Sequence, residues 1–212
     1  MSIHRIYAAI SPFFRRRRMR RFHVLVAPSP HERLLDVGGT VDFWRGLNLP
    51  NPITLLNRDA TGAAAGARAN LSFVAGDACA LPFHDGAFDI IFSNSMIEHL
   101  GTWERQQACA RELRRVGGRL WVQTPAREFF TEPHLIAPFF HWLPRRWQRR
   151  LLRNFTVRGW IERPDAGQVE AFLEEVRLLT LAEMRILFPD CTLLRERFLG
   201  LTKSYIAVRN PS

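Results

Sequence analysis

Two short apolar runs that stop abruptly in acids or small residues constrain this chain more than any other feature. The first is Arg33-Leu34-Leu35-Asp36-Val37-Gly38-Gly39-Thr40. The second pairs Gly76-Asp77-Ala78-Cys79-Ala80-Leu81-Pro82-Phe83 with Phe88-Asp89-Ile90-Ile91-Phe92-Ser93-Asn94. Buried parallel strands read this way when they deliver their C-terminal ends to a binding crevice. The glycine pair at 38–39 lets backbone come close to a ligand. An acid beyond a later strand, such as Asp77, can accept hydrogen bonds from ribose or a base.

The rest of the chain extends the pattern. Strands are expected at about 33–37, 53–56, 71–75, 88–92 and 118–123. Thr102 to Val116 reads as an amphipathic helix, with Thr102 as N-cap and Gly117-Gly118 as stop. Alternation of this kind predicts a parallel sheet covered by helices on both faces. Residues 125–175 break it with Pro125, Pro133, Pro138, Pro144 and Pro164, several aromatics and an arginine cluster. They read as an inserted cap of short helices. Thr180 to Phe188 then reads as a capped helix before Pro189. Thr192–Phe198 and Ser204–Arg209 read as a closing antiparallel pair. Residues 1–30 read as one or two short basic helices, with Pro12 interrupting. The expectation is a single domain over 1–212: an α/β, doubly wound, mostly parallel seven-stranded sheet with a C-terminal hairpin and a helical insertion.

At these residues the chain resembles the class I S-adenosylmethionine (SAM)-dependent methyltransferases, in particular the small type 11-like group. The glycine-rich motif matches Asp36 to Asp42, the adenine-contacting acid Asp77, the fourth strand Phe88 to Phe92, and the fifth Gly118-Arg119-Leu120-Trp121-Val122-Gln123. The resemblance covers roughly residues 33–125, with a weaker match over Leu193–Arg209. It implies a Rossmann-like methyltransferase fold, SAM as cofactor, and cofactor contacts at Asp36, Gly38, Gly39, Thr40, Asn57, Asp77, Ala78 and Asn94. The motif departs from the family pattern: Thr40 and Asp42 stand where its second and third glycines would be. Asn57 replaces the usual acid after the second strand. An amide there can still bind ribose hydroxyls, but without charge.

Composition narrows the setting. The formal net charge of +10 can steer anionic partners, and all but one of the 30 basic residues are Arg, Lys203 being the exception. Cys79, Cys109 and Cys191 are odd in number and form no Cys-x-x-Cys pair. That argues against a disulfide framework and a zinc site, so no metal is expected, and it fits a reducing cytoplasm. No apolar stretch approaches the ~20 residues that span a bilayer.

Methyl transfer from a sulfonium asks little of the protein beyond placing the acceptor in line and excluding water. A base is needed only when the acceptor loses a proton. His99, just past the fourth strand in Ser93-Asn94-Ser95-Met96-Ile97-Glu98-His99, is the leading candidate, because imidazole exchanges protons near neutral pH. A histidine that only hydrogen-bonds backbone is the alternative. Glu132 and His134 flank Pro133 beside Phe129, Phe130, Phe139 and Phe140, like a polar spot in an apolar pocket; capping the insertion is the equal alternative. Glu128 and His141 are weaker versions of the same idea.

Arginines cluster at 15–18 with 20–21, and at 145–146 with 149–150 and 153. In the second cluster Trp142, Leu143, Trp147, Leu151 and Leu152 interleave. A helix there can pack on the core with solvated arginines, lie on an anionic membrane or lipid-linked substrate, or meet nucleic acid, for which no motif is present. The leading functional expectation is SAM-dependent methylation of a small-molecule or lipid-linked acceptor at oxygen, by a cytoplasmic protein with peripheral membrane contact as a further option. RNA or protein methylation lacks the Asn-Pro-Pro-Tyr type of motif after the fourth strand. A non-catalytic binding or scaffold protein is the third reading. A nicotinamide dehydrogenase lacks Gly-x-Gly-x-x-Gly.

Overall fold

The computed structural model describes residues 3–47, 49–59, 69–132 and 135–210, with backbone alone for 3–13 and Glu132. In chain order the elements are α1 (Ile3–Leu25), β1 (Leu34–Val37), α2 (Val41–Arg45), β2 (Ile53–Asn57), β3 (Leu71–Ala75) and β4 (Phe88–Asn94). After a 3-10 turn at Ile97–Leu100 come α3 (Trp103–Val116) and β5 (Gly117–Pro125). The insertion holds β6 (Thr131–Glu132), β7 (Ala137–Pro138), a second 3-10 turn at Phe140–Trp142, α4 (Arg145–Phe155), α5 (Val157–Glu162) and α6 (Ala166–Glu175). The chain closes with α7 (Leu181–Leu187), β8 (Thr192–Phe198) and β9 (Leu201–Arg209).

The main sheet runs β3-β2-β1-β4-β5-β9-β8. The strands from β1 to β5 pair in parallel; β9 lies antiparallel between β5 and β8. The order reverses between β1 and β4, and at such a switch point the strand ends leave a crevice. β1 is buried at every position and β4 at most of them, as strands covered on both faces must be. Leu199 and Gly200 both take positive φ, 50° and 79°, between the paired Phe198 and Leu201. That two-residue turn matches the twist of antiparallel strands.

Two cores sandwich the sheet. On one face Cys109, Leu113 and Val116 of α3 and Met184 and Leu187 of α7 pack on Leu35, Ile91, Leu120 and Ala207. On the other, Met19 and Phe22 of α1 and Val41 and Trp44 of α2 pack on Leu34, Ile90, Phe92, Trp121 and Ile206. The insertion has its own small core of Leu135, Phe140, Leu152, Val169, Phe172 and Leu173. Its helices are locally specified: Asp165 and Gln168 form a capping box on α6, as Thr180 and Glu183 do on α7. Among the described residues no helix is long and apolar enough to cross a membrane.

One expectation is corrected. Pro12 does not divide the N-terminal segment, and α1 is continuous from Ile3 to Leu25. A proline removes one helical hydrogen bond; packing of Met19, Phe22 and the following Val26 against the sheet anchors the helix beyond it.

Candidate cofactor and active site

A cavity of about 560 Å³ opens beyond the carboxyl ends of β1 to β4. The turn after β1 forms its floor. Gly38 has φ +84°, and a Cβ there would lie 2.4 Å from Met96 Cγ, so no side chain fits. Thr40 caps α2 by accepting from Phe43 N–H at 3.4 Å. Asn57 ends β2 and donates from Nδ2 to Gly39 O at 2.9 Å, tying the second strand end to the turn. Asp77 and Ala78 follow β3 and line the same cavity, with Gly38, Gly39, Thr40, Asn57 and His99.

Asp77 is half-exposed. Its Oδ1 accepts from Cys79 N–H at 3.0 Å, and both oxygens accept from Arg105 Nη2 at 3.0 Å. The Cys79 bond does most to hold the carboxyl below its ordinary range; partial burial opposes it and Arg105 adds to it. Arg105 sits 28 residues away on α3, and nothing local in the sequence marks it as Asp77's partner.

Two expected cofactor residues lie elsewhere. Asp36 does not line the cavity: it is buried directly beneath Gly39, where β1 alternation turns its side chain toward α2. Trp44 Nε1 donates to its Oδ2 at 2.6 Å, while Oδ1 has no hydrogen-bond partner among the described residues. Burial pushes the carboxyl up to about 7, against the lowering effect of the Trp44 bond. Asn94 faces α1, where its Oδ1 accepts from Arg18 Nη1 at 2.5 Å. The same guanidinium pairs with Glu196 of β8 at 2.7 Å, so Asn94 belongs to a latch for α1.

His99 lies in the cavity wall about one-third exposed, its Nδ1 3.1 Å from Glu175 Oε1. Glu175 ends α6, and among the described residues it alone brings the insertion into the cavity wall. Sequence reasoning missed it, because 76 residues separate the pair. Three contacts fix the approach. Arg177 N–H donates to Glu98 O at 2.8 Å. Gln106 Nε2 bridges Ile97 O and Arg177 O at 3.0 and 2.8 Å. Gly101, at φ +73°, leaves only 2.6 Å between its would-be Cβ and Glu174 O.

The other candidates separate. Glu128 accepts from Tyr205 Oη at 2.7 Å and from Leu181 N–H at 3.4 Å. His141 Nε2 lies 2.9 Å from Arg127 O. Phe129 and Phe140 are core residues; Phe130 is half-buried and Phe139 exposed. His134 and the side chain of Glu132 lie outside the described residues.

Comparison with known proteins decides the family. A family model described as a methyltransferase domain matches residues 49–122. Over 191 residues the chain is 31% identical to the ubiquinone/menaquinone biosynthesis C-methyltransferase UbiE of Paracoccus denitrificans, covering 82% of this chain and 69% of that protein. The chain belongs to the class I SAM-dependent methyltransferases. Solved structures agree in fold. A SAM-dependent methyltransferase from Methanosarcina mazei matches at 15% identity with a TM-score of 0.52, over 87% of this chain and 95% of that one. A possible exported protein from Bordetella parapertussis matches at 15% identity with a TM-score of 0.61, over 95% and 68%. The methyltransferase is therefore an enzyme that uses SAM, which sets the scaffold reading aside.

Proposed function

We propose that the enzyme binds SAM in the crevice beyond β1 to β4 and transfers its methyl group to a small-molecule or lipid-linked acceptor at oxygen, the lipid-linked one being the reading tested below. Gly38, Gly39, Thr40, Asn57, Asp77 and Ala78 would hold the cofactor. The residues present fit such a group. The glycine turn, where a Cβ on Gly38 would meet Met96, admits close backbone approach, and the cavity has the size of a small-molecule site. The bound cofactor supplies a methyl group already activated on a sulfonium.

What this chain adds is placement, exclusion of water and a proton acceptor. The single observation that carries the reading of an acceptor that loses a proton is the His99–Glu175 pair in the cavity wall. When Nδ1–H of His99 donates to the carboxylate, Nε2 is the ring nitrogen that carries no proton and can act as the base. It would take the hydroxyl proton of a phenol or enol as the oxygen attacks. Glu132 and His134, which follow β5 in the sequence, are the candidates for orienting the acceptor. The aromatic chain Phe129–Phe130–Phe139–Trp142, with successive centroids 4.6, 6.1 and 5.3 Å apart, leads outward from the end of β5 and favours an acceptor with an apolar part.

A second reading rests on the UbiE relative, whose name describes carbon methylation. A phenolate is nucleophilic at ring carbon as well as oxygen, so the same base serves both. The test is incubation of purified enzyme and SAM with lipid and aqueous cell extracts, followed by mass spectrometry for an added methylene mass. NMR of the product then distinguishes O–CH3 from C–CH3. A methylated product only in the aqueous extract overturns the lipid-linked reading.

A further inference from the structure

Half of the exposed large apolar side chains among the described residues fall between positions 139 and 160: Phe139, Trp142, Leu143, Trp147, Phe155 and Trp160. The chain has no acid from 133 to 161. α4 turns Gln148 and Leu152 inward, while Arg146, Trp147, Arg150 and Arg153 share its outer side. Arg149 and Arg158 are neutralised by Glu170 and Glu162 at 2.5 and 2.7 Å, whereas Arg146, Arg150 and Arg153 have no carboxylate partner among the described residues. A monomer rarely exposes rings and unpaired cations together without a surface to meet.

We infer that the outer face of the insertion, centred on α4, is a docking surface for an anionic phospholipid bilayer. Guanidinium groups match lipid phosphates in geometry and charge. Tryptophan favours the membrane–water interface. Two of the indoles are prepared for it: Trp142 Nε1 donates to Arg127 O at 3.0 Å, and Trp160 Nε1 donates to Asn154 O. Their rings can enter an apolar layer without stranding a donor. A nucleic acid would engage the arginines and stack on flat rings, but it would leave Leu143 without an apolar medium. The inference deepens the lipid-linked reading, because it places the enzyme where such an acceptor resides.

The test uses the full chain and vesicles of roughly equal parts phosphatidylcholine and phosphatidylglycerol. The enzyme is expected to sediment with them at low salt, to stay in solution with phosphatidylcholine alone, and to be released by high salt as screening shortens. Replacing Arg146, Arg150 and Arg153 by Gln should weaken the partition by about a hundredfold, roughly fivefold for each arginine. The Trp147→Ala, Trp160→Ala double variant should weaken it independently of salt. Both variants should keep the wild-type SAM affinity, which shows that they fold. Wild-type enzyme that stays in the supernatant with the anionic vesicles overturns the inference. So does an arginine variant that sediments unchanged, or tighter binding to a single-stranded oligonucleotide than to the vesicles. Docking without methylation of any lipid-extract acceptor would overturn the lipid-linked reading alone, and methylation without docking would overturn this one alone.

Discussion

A Cβ placed on Gly39 would lie 1.7 Å from Oδ2 of Asp36. The turn and the buried acid beneath it occupy one space, so the residue at 39 is dictated by the residue at 36. Gly39→Ala is expected to destabilise the enzyme by about 1–3 kcal/mol, as overpacking of a closed site does, and to weaken SAM binding. Adding Asp36→Ala should recover part of the stability, a coupling that a double-mutant cycle of urea unfolding would measure. Simple additivity would show that the two residues do not compete for that space.

Asp36 also makes stability depend on pH. Its ordinary carboxyl value is 3.8, raised by burial to about 7 in the folded chain. Between those values the folded state holds a proton that the unfolded state has released. Stability from this group is therefore full below about pH 4 and is lost as pH rises toward 7. Asp36→Asn keeps an acceptor for Trp44 without the charge. In the absence of SAM it should gain roughly 2–4 kcal/mol over wild type at pH 8 and much less at pH 5. Parallel unfolding curves at the two pH values would reject this.

Asp77 is expected to carry much of the cofactor affinity. Asp77→Ala removes a charged acceptor at a cost of roughly 1.5–3 kcal/mol, which is a ten- to hundredfold loss in SAM affinity by calorimetry. Arg105→Ala leaves the carboxylate in place without its partner on α3 and should cost less. Equal binding by wild type and Asp77→Ala would show that Asp77 is misassigned.

His99→Gln should lower kcat by about 10²–10⁴-fold, the usual range for a lost general base, with SAM affinity little changed. Glu175→Gln should fall between that variant and wild type, because the imidazole stays but the carboxylate that fixes its tautomer is gone. An unaltered kcat for His99→Gln would leave the base among Glu132 and His134.

Local signals carried most of the fold. The buried runs of β1, β4 and β5, the Thr102 and Thr180 caps and the closing hairpin were all legible, because each is written in contiguous residues. Pro12 misled, since its local penalty yields to the tertiary packing of Met19 and Phe22. The site was legible only in its turns. Gly38, Gly39, Thr40, Asn57, Asp77 and Ala78 fall at strand ends, as topology requires. Asp36 and Asn94 turned away because their sheet faces point to Trp44 and Arg18, which the motif does not encode. Arg105 reaches Asp77, and Glu175 reaches the crevice, over long sequence separations, and no spacing rule could have found them.

Lys203 gives the molecule a chemical handle. It is the chain's sole lysine, and its Nζ rests 3.2 Å from the centroid of the Phe14 ring on α1. Burial is the largest influence lowering its ammonium, to about 8, and the Arg18 charge adds to it. A mild acylating reagent near neutral pH therefore finds one side-chain amine to modify, apart from the terminal amine. Lys203 Nζ lies against Phe14 of the N-terminal helix. The rate of acylation becomes a clock for how often α1 lifts from the sheet, readable by intact mass without an engineered label.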